Sequence, residues 1–184
     1  MVPASWQLKV GLLKMFFRKA RLMVAAGDAV ERLFRLFGPL GGVPDKVWSD
    51  PYAMGWVTGY ANTAVEIYAG ANHASLGDLD NVARGQIISA GWERVTPKDR
   101  QMEVLRRCQS FVNSLDPEYQ RGFEAAKKTL LYEAGFQDDP NDLDIASATK
   151  RANMLAQGGL YEGLSERSAV AGSLTARLFY EVVT

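Results

Sequence analysis

The chain has 184 residues, 47% of them hydrophobic, and its 21 lysine and arginine residues balance 21 aspartate and glutamate residues. A chain of this length fits one domain and can bury a sizeable core, which excludes disorder over most of it. The zero net charge excludes a general electrostatic attraction to nucleic acid, which we do not expect as a partner.

The charges are unevenly distributed along the chain. Residues 1–48 contain eight basic and three acidic residues, whereas the remainder contains thirteen basic and eighteen acidic residues. A basic front and an acidic body favour either internal complementarity or a positively charged contact face. Cys108 is the only cysteine, so no intrachain disulfide can form, and we expect a cytoplasmic location, with or without attachment to a membrane surface.

Residues 1–26 do not have the pattern of a secretory signal peptide, because basic residues interrupt every apolar run. The same stretch contains no acid before Asp28, as is typical of a mitochondrial presequence. It is poor in serine, however, and continues directly into a second periodic segment. We therefore interpret it as part of the folded protein.

Proline repeatedly follows a residue that can cap a helix. A side-chain oxygen at the cap accepts an unpaired backbone N–H, and proline in the first helical position sacrifices no hydrogen bond. Alternating runs rich in β-branched residues, which indicate strands, are not found. The sequence predicts an all-α fold, a single-domain helical bundle or orthogonal array of about seven helices. The four capping pairs are Asp50-Pro51, Thr96-Pro97, Asp116-Pro117 and Asp139-Pro140.

The first predicted helix covers residues 5–37 and ends at Gly38-Pro39. Gly27 followed by Asp28 leaves open a single long helix or a pair with a break between them. The segment 1–37 either joins the helical core of residues 49–184 or projects from it. Ion pairs are expected four residues apart, Asp28 with Arg32 and Glu31 with Arg35. The predicted inward positions are Leu13, Phe16, Ala20, Met23, Gly27, Val30, Phe34 and Phe37.

The second predicted helix, residues 51–70, carries a single charge, Glu66. Gly55 and Gly59 are spaced as in membrane helices whose backbones approach closely. Polar residues such as Thr58 and Asn62 are costly in lipid, so a buried central helix is favoured over a membrane span.

Further helices are predicted over residues 78–94, 97–115, 117–134, 141–157 and 165–182. Their apolar spacing predicts which residues face the core. Those residues are Val82, Ile87, Ile88, Trp92, Met102, Leu105, Cys108, Phe111, Val112, Phe123, Ala126, Leu130 and Leu131.

No constellation of residues predicts a reaction, so we expect no catalytic residue, no metal and no cofactor. His73 is the only histidine, too few for a histidine-based zinc site. Ser147 and Lys150 have the spacing of a serine–lysine tetrad but lie within a predicted helix, without the accompanying motifs. Cys108 is interpreted as a small buried apolar residue. The acidic stretch 138–144 lacks the glycine and final glutamate of a calcium loop, and capping of a helix is favoured.

The start of the first helix is both basic and apolar, and no acidic residue interrupts it. This combination is typical of a helix that lies on anionic lipid or in the groove of a partner. The alternative is a core helix whose basic face is solvated and compensated by the acidic body. The candidate contact residues are Lys9, Lys14, Phe17, Arg18, Lys19 and Arg21.

The leading functional hypothesis is a non-catalytic helical interaction or assembly protein. Its N-terminal helix is expected to bind an acidic protein partner, a second copy of the chain, or an anionic membrane surface as a peripheral protein. The alternative is an enzyme or small-ligand-binding protein with a pocket near Trp56, Tyr60, Glu66 and Trp92. In that alternative, burial raises the pKa of Glu66, which serves as acid and base.

Overall fold

A computed structural model describes residues 4–35, 37–71, 81–136, 143–157 and 165–184. These residues form helices and turns and contain no β-strand. The all-α fold predicted from the sequence is confirmed. The helices are α1 (Ala4–Arg35), α2 (Pro51–Ala71), α3 (Asn81–Val95), α4 (Gln101–Ser114), α5 (Pro117–Glu133), α6 (Leu143–Gln157), α7 (Glu166–Thr175) and α8 (Glu181–Val183), with a 3₁₀ turn at Asp45–Trp48 and a π-helical stretch at Ala176–Tyr180.

The aspartate–proline pairs predict the starts of α2 and α5 correctly. The backbone N–H of Ala53 donates to Asp50 Oδ1 at 2.9 Å. The N–H groups of Glu118 and Tyr119 both donate to Asp116 Oδ1 at 3.0 Å. In each helix the aspartate therefore satisfies backbone donors that have no partner within the first turn.

The helix start predicted at Pro97 is wrong. Residues 97–100 form a turn in which the N–H of Arg100 donates to the carbonyl oxygen of Pro97 at 2.9 Å, and α4 begins only at Gln101. The Gln101 side-chain amide donates back to the Thr96 carbonyl and closes the turn. The fourth capping pair, Asp139-Pro140, lies outside the described residues.

The centre of the fold is the contact between α2 and α5, which run side by side in the same direction. A Cβ atom added to Gly55 would lie 1.9 Å from the carbonyl oxygen of Tyr119, and one added to Gly122 would lie 2.0 Å from that of Tyr52. Only glycine permits backbones to approach so closely. The buried central helix predicted over residues 51–70 is confirmed. Within the described part of the chain, no helix has the length and apolar character needed to cross a membrane.

Helix α1 is a single rod of 32 residues without a break at Gly27. Its second half belongs to the core, where Leu22 and Ala26 are almost fully buried against the other helices. Ala20, which was predicted to face inward, is exposed because it lies nearly opposite Leu22 on the helix. The core contacts of α1 are made mainly with α3 and α2.

Aromatic side chains of the C-terminal segment pack against α1 and α2. The π-helical stretch allows consecutive residues, Phe179 and Tyr180, to be buried together. Phe179 stacks on Trp56 with ring centroids 5.6 Å apart, and the Tyr180 hydroxyl donates to the carbonyl oxygen of Leu33. A smaller apolar cluster joins α6 to α7.

Besides Ala20, three residues predicted to face the core are exposed instead: Val82, Met102 and Val112. Val82 lies in the first turn of α3. Helix α4 packs mainly against α2 and α3, so it buries only a narrow stripe centred on Val104. The apolar spacing therefore predicted a wider buried face than this peripheral helix has.

Candidate functional site

The predicted contact residues lie on α1 between Lys9 and Arg21. The backbone at Lys9 and Lys14 is helical, and their side chains lie outside the described part. Arg18 and Lys19 are partly buried, and the Lys19 ammonium donates to the side-chain carbonyl of Gln86 on α3. This contact holds the basic helix against the remainder of the protein.

Three of the described residues form what we call the exposed stripe: Phe17, Arg21 and Val24. They are spaced by four and three residues and therefore share one face of α1. Phe17 is 59% exposed and Val24 is 53% exposed, with exposed Arg21 between them. The stripe combines two large apolar side chains with a cation on a surface open to solvent.

The stripe continues into a groove of about 1000 Å³, which we call the α1 groove. It lies between α1 and α2, and the end of α5 and Arg94 of α3 complete its walls. Small and apolar side chains alternate with charged ones along it. The described lining residues are Arg21, Val24, Ala25, Asp28, Ala29, Glu31, Arg32, Arg35, Ala64, Ile67, Tyr68, Ala71, Arg94, Leu130, Glu133 and Ala134.

Two carboxylates of the groove are occupied by internal ion pairs. Arg94 donates from Nη2 to Asp28 and from Nε to Glu31, both at 3.1 Å. Arg35 lies 3.5 Å from Glu31, as the spacing predicted. The hydrogen bond from Arg94, together with the charges of Arg94 and Arg35, lowers the pKa of Glu31 despite its partial desolvation. The pairing of Asp28 with Arg32 is wrong, because Asp28 pairs with Arg94 instead.

Arg32 and Arg21 have no carboxylate partner among the described residues. The Arg32 guanidinium donates to the Tyr60 hydroxyl at 3.4 Å. That oxygen, and to a lesser degree Glu133, raises the pKa of Arg32, while burial raises the pKa of Tyr60. Arg21 makes no hydrogen bond or ion pair with any described residue. The groove therefore presents two arginines that form no salt bridge within the described part of the chain, and the Glu133 carboxylate in the same groove partly offsets the charge of Arg32.

The four residues predicted to form a ligand pocket are divided between the core and the surface of the described structure. Trp56, Tyr60 and Trp92 are at most 5% exposed and are packed in the core. Glu66 was expected to be buried but is exposed on α2, where its carboxylate accepts a hydrogen bond from Asn62 at 3.0 Å. None of these four expected pocket residues lines the α1 groove.

The other residues considered for chemistry lie in α4, in α6 or outside the described part of the chain. Burial raises the pKa of the Cys108 thiol to about 12, as expected for a cysteine packed among apolar residues. Ser147 and Lys150 are both exposed within α6. His73 and residues 138–142 lie outside the described residues. In the described ranges, no group of three or more histidine, cysteine, aspartate or glutamate residues is placed to hold a metal ion.

Sequence reasoning missed the α1 groove. It identified Arg21 as a contact residue but expected Arg32 and Arg35 only as members of ion pairs within α1. The signal was present in part, because a run of arginines follows one face of α1. The missing information was the packing of α2 beside that face, which depends on distant residues such as Tyr60, 28 positions after Arg32.

No protein-family model, curated protein or solved structure matches this chain.

Proposed function

We propose that this protein is a non-catalytic helical interaction protein, and that α1 between Lys9 and Val24 binds an acidic protein partner. The observation that supports it is the exposed stripe, in which Phe17 and Val24 present large apolar side chains on either side of Arg21. Isolated exposed apolar residues are common, but several on one face beside cations are typical of contact surfaces.

The charge of α1 supports an acidic partner. The helix contains seven lysine and arginine residues against two acids, Asp28 and Glu31. Both acids are already paired with arginines, so the helix keeps an excess of positive charge. Complementary charge speeds association and disfavours partners of the same sign.

The rigidity of α1 also supports the proposal. From Leu22 onward the helix is anchored in the core, so the contact residues project from a fixed support. A helix that is ordered before binding loses less conformational entropy when the complex forms. The anchoring has a practical consequence: deleting residues 1–26 would remove Leu22 and Ala26 from the core, so point substitutions are the better test.

The direct test is site-specific photo-crosslinking in cells of the protein's own source. A photoreactive phenylalanine analogue replaces Phe17, and the matched control carries it at Phe136, which is 68% exposed and lies just beyond α5. We expect one discrete crosslinked protein from position 17, which is lost when Lys9→Glu and Lys14→Glu are added. Adducts at position 17 no different from those at position 136 would refute the proposal.

Two further measurements separate the alternative partners. Light scattering after size-exclusion chromatography detects self-association, and flotation with vesicles of equimolar phosphatidylcholine and phosphatidylglycerol detects membrane binding. Under the proposal, neither changes with Phe17→Ser. A loss of vesicle binding or of dimer with Phe17→Ser, without a crosslinked partner, contradicts it. In the alternative of a membrane surface, vesicle binding by the basic helix should weaken as salt screens its charge.

A further inference from the structure

We infer that the α1 groove binds an acidic amphipathic helix with two carboxylates eleven residues apart. This rests on the proposed function and identifies both the surface and the recognition pattern of the partner. The groove follows one face of α1 from Arg21 to Arg35, a length of about 21 Å at 1.5 Å per residue. About four turns of a second helix fit along it.

The spacing of Arg21 and Arg32, which form no salt bridge with a described residue, defines the charge pattern. Arg21 and Arg32 are eleven residues apart on a continuous helix, which separates their backbones by about 16 Å and places them on the same face. On a partner helix lying alongside, acids at positions i and i+11 have the same spacing and share one face. Reversing the direction of the partner helix leaves the spacing of its two acids unchanged, so the pattern holds for a parallel or an antiparallel partner.

The residues at the bottom of the groove determine which residues of the partner helix fit between its two acids. Ala25 and Ala29 occupy α1 between the two arginines, and Ala64 faces them from α2. Small side chains allow a third helix to approach closely, with apolar residues at its positions i+4 and i+7. Val24 and Ile67 add apolar surface along the same path.

A helix fits these observations better than a small anion does. Small-molecule sites enclose most of the surface of their ligand, whereas the α1 groove is open along its length. The arginines also stand too far apart to hold one compact anionic group together. Guanidinium groups pair well with carboxylates through parallel hydrogen bonds, and neither Arg21 nor Arg32 forms a hydrogen bond or salt bridge with a described carboxylate.

The test uses the full chain and a fluorescein-labelled alanine-rich helical peptide of about 18 residues, long enough to span the groove. The peptide carries glutamates eleven residues apart and leucines four and seven residues after the first glutamate. A control peptide of the same composition places its glutamates on the opposite face. Fluorescence anisotropy measures the dissociation constant of each.

We expect the patterned peptide to bind at least about tenfold more tightly than the control peptide. Arg21→Glu and Arg32→Gln should each weaken binding by about tenfold, the loss of one charge-assisted contact. The matched control is Arg106→Glu, which reverses an exposed charge on α4 outside the groove and should leave the dissociation constant within about twofold. Arg21 has no internal partner to lose, so its variant keeps the test valid even where Arg32→Gln is poorly folded.

Equal binding of the two peptides, or equal loss with Arg106→Glu, overturns the inference. Arg21-dependent dimerisation of the chain, or Arg21-dependent flotation with equimolar phosphatidylcholine and phosphatidylglycerol vesicles, assigns the groove to another occupant and also overturns it. The outcomes remain separable from those of the proposed function. If position 17 crosslinks to a partner but the peptide does not bind, the proposed function is supported and the inference about the α1 groove is wrong.

Discussion

Gly55→Ala should destabilise the protein by at least about 2 kcal/mol, although alanine is the better helix former by about 1 kcal/mol. The reason is the close approach of α2 to α5. The new Cβ would lie 1.9 Å from the carbonyl oxygen of Tyr119, which is helix backbone and cannot move aside as a flexible side chain can. To relieve the overlap, the two helices must separate by about 1 Å at this point.

The size of the effect follows from that separation. A radial gap of about 0.5–1 Å forfeits a quarter to a half of the dispersion energy between the atoms concerned. Inserting one methyl group into a well-packed core costs about 1–3 kcal/mol, and more where backbone must shift. The improved helix propensity offsets only part of this cost, so the melting temperature should fall by about 4–8 °C or more.

Differential scanning calorimetry of two variants tests the reasoning. The matched control is Gly85→Ala, since Gly85 is exposed within α3 and an added Cβ would have no atom within 4 Å. This variant should raise the melting temperature by about 2–4 °C, because only helix propensity changes. If Gly55→Ala raises it as well, α2 and α5 are not in such close contact and the packing argument fails.

Three further predictions concern titration and the C-terminal contact. Arg94 lowers the pKa of Glu31, so the unfolded state binds the proton of the Glu31 carboxyl more readily than the folded state does. Stability should therefore fall as pH drops below about 4.5, and it should fall less in Arg94→Ala. Identical acid denaturation profiles of the two proteins contradict this. Burial raises the pKa of Cys108 from 9.0 to about 12, so the unfolded state releases this proton first and stability should fall as pH rises above 9. The reagent DTNB should therefore react with the Cys108 thiol only after unfolding. Rapid reaction with the native protein is the contrary result. Tyr180→Phe removes the hydrogen bond to the Leu33 carbonyl and should cost about 1 kcal/mol by urea denaturation, whereas an unchanged midpoint means that the bond contributes no net stability.

Features that depend on neighbours in sequence were predictable. The capping roles of Asp50 and Asp116 involve backbone groups within three residues, so the order of amino acids specifies them directly. The end of α5 at Gly135 is of the same kind, since glycine there adopts a φ of 80° that other residues disfavour. The burial of α2 follows from its composition, which offers almost no charged side chain to solvent.

Features that depend on distant residues were predicted less well. Asp28 was expected to pair with Arg32 one turn away, but Arg94 on α3 reaches it and takes that place. Glu66 was expected to be buried because its helix is buried, yet its own position on the helix faces outward. In each case the direction of a side chain depends on which helix lies beside it, and that information is not local.

The amino-acid sequence determined that this chain is helical, where most helices begin and end, and that the start of α1 is basic and apolar at once. Those properties come from backbone capping, from spacing along a single helix and from composition, all of which act over a few residues. The tertiary structure decided that α1 is one anchored rod and that Arg21 and Arg32 lie along a groove. Its physical basis is the close packing of α2 with α5 and of α1 with α2 and α3, because the surface of a groove exists only once separate helices meet.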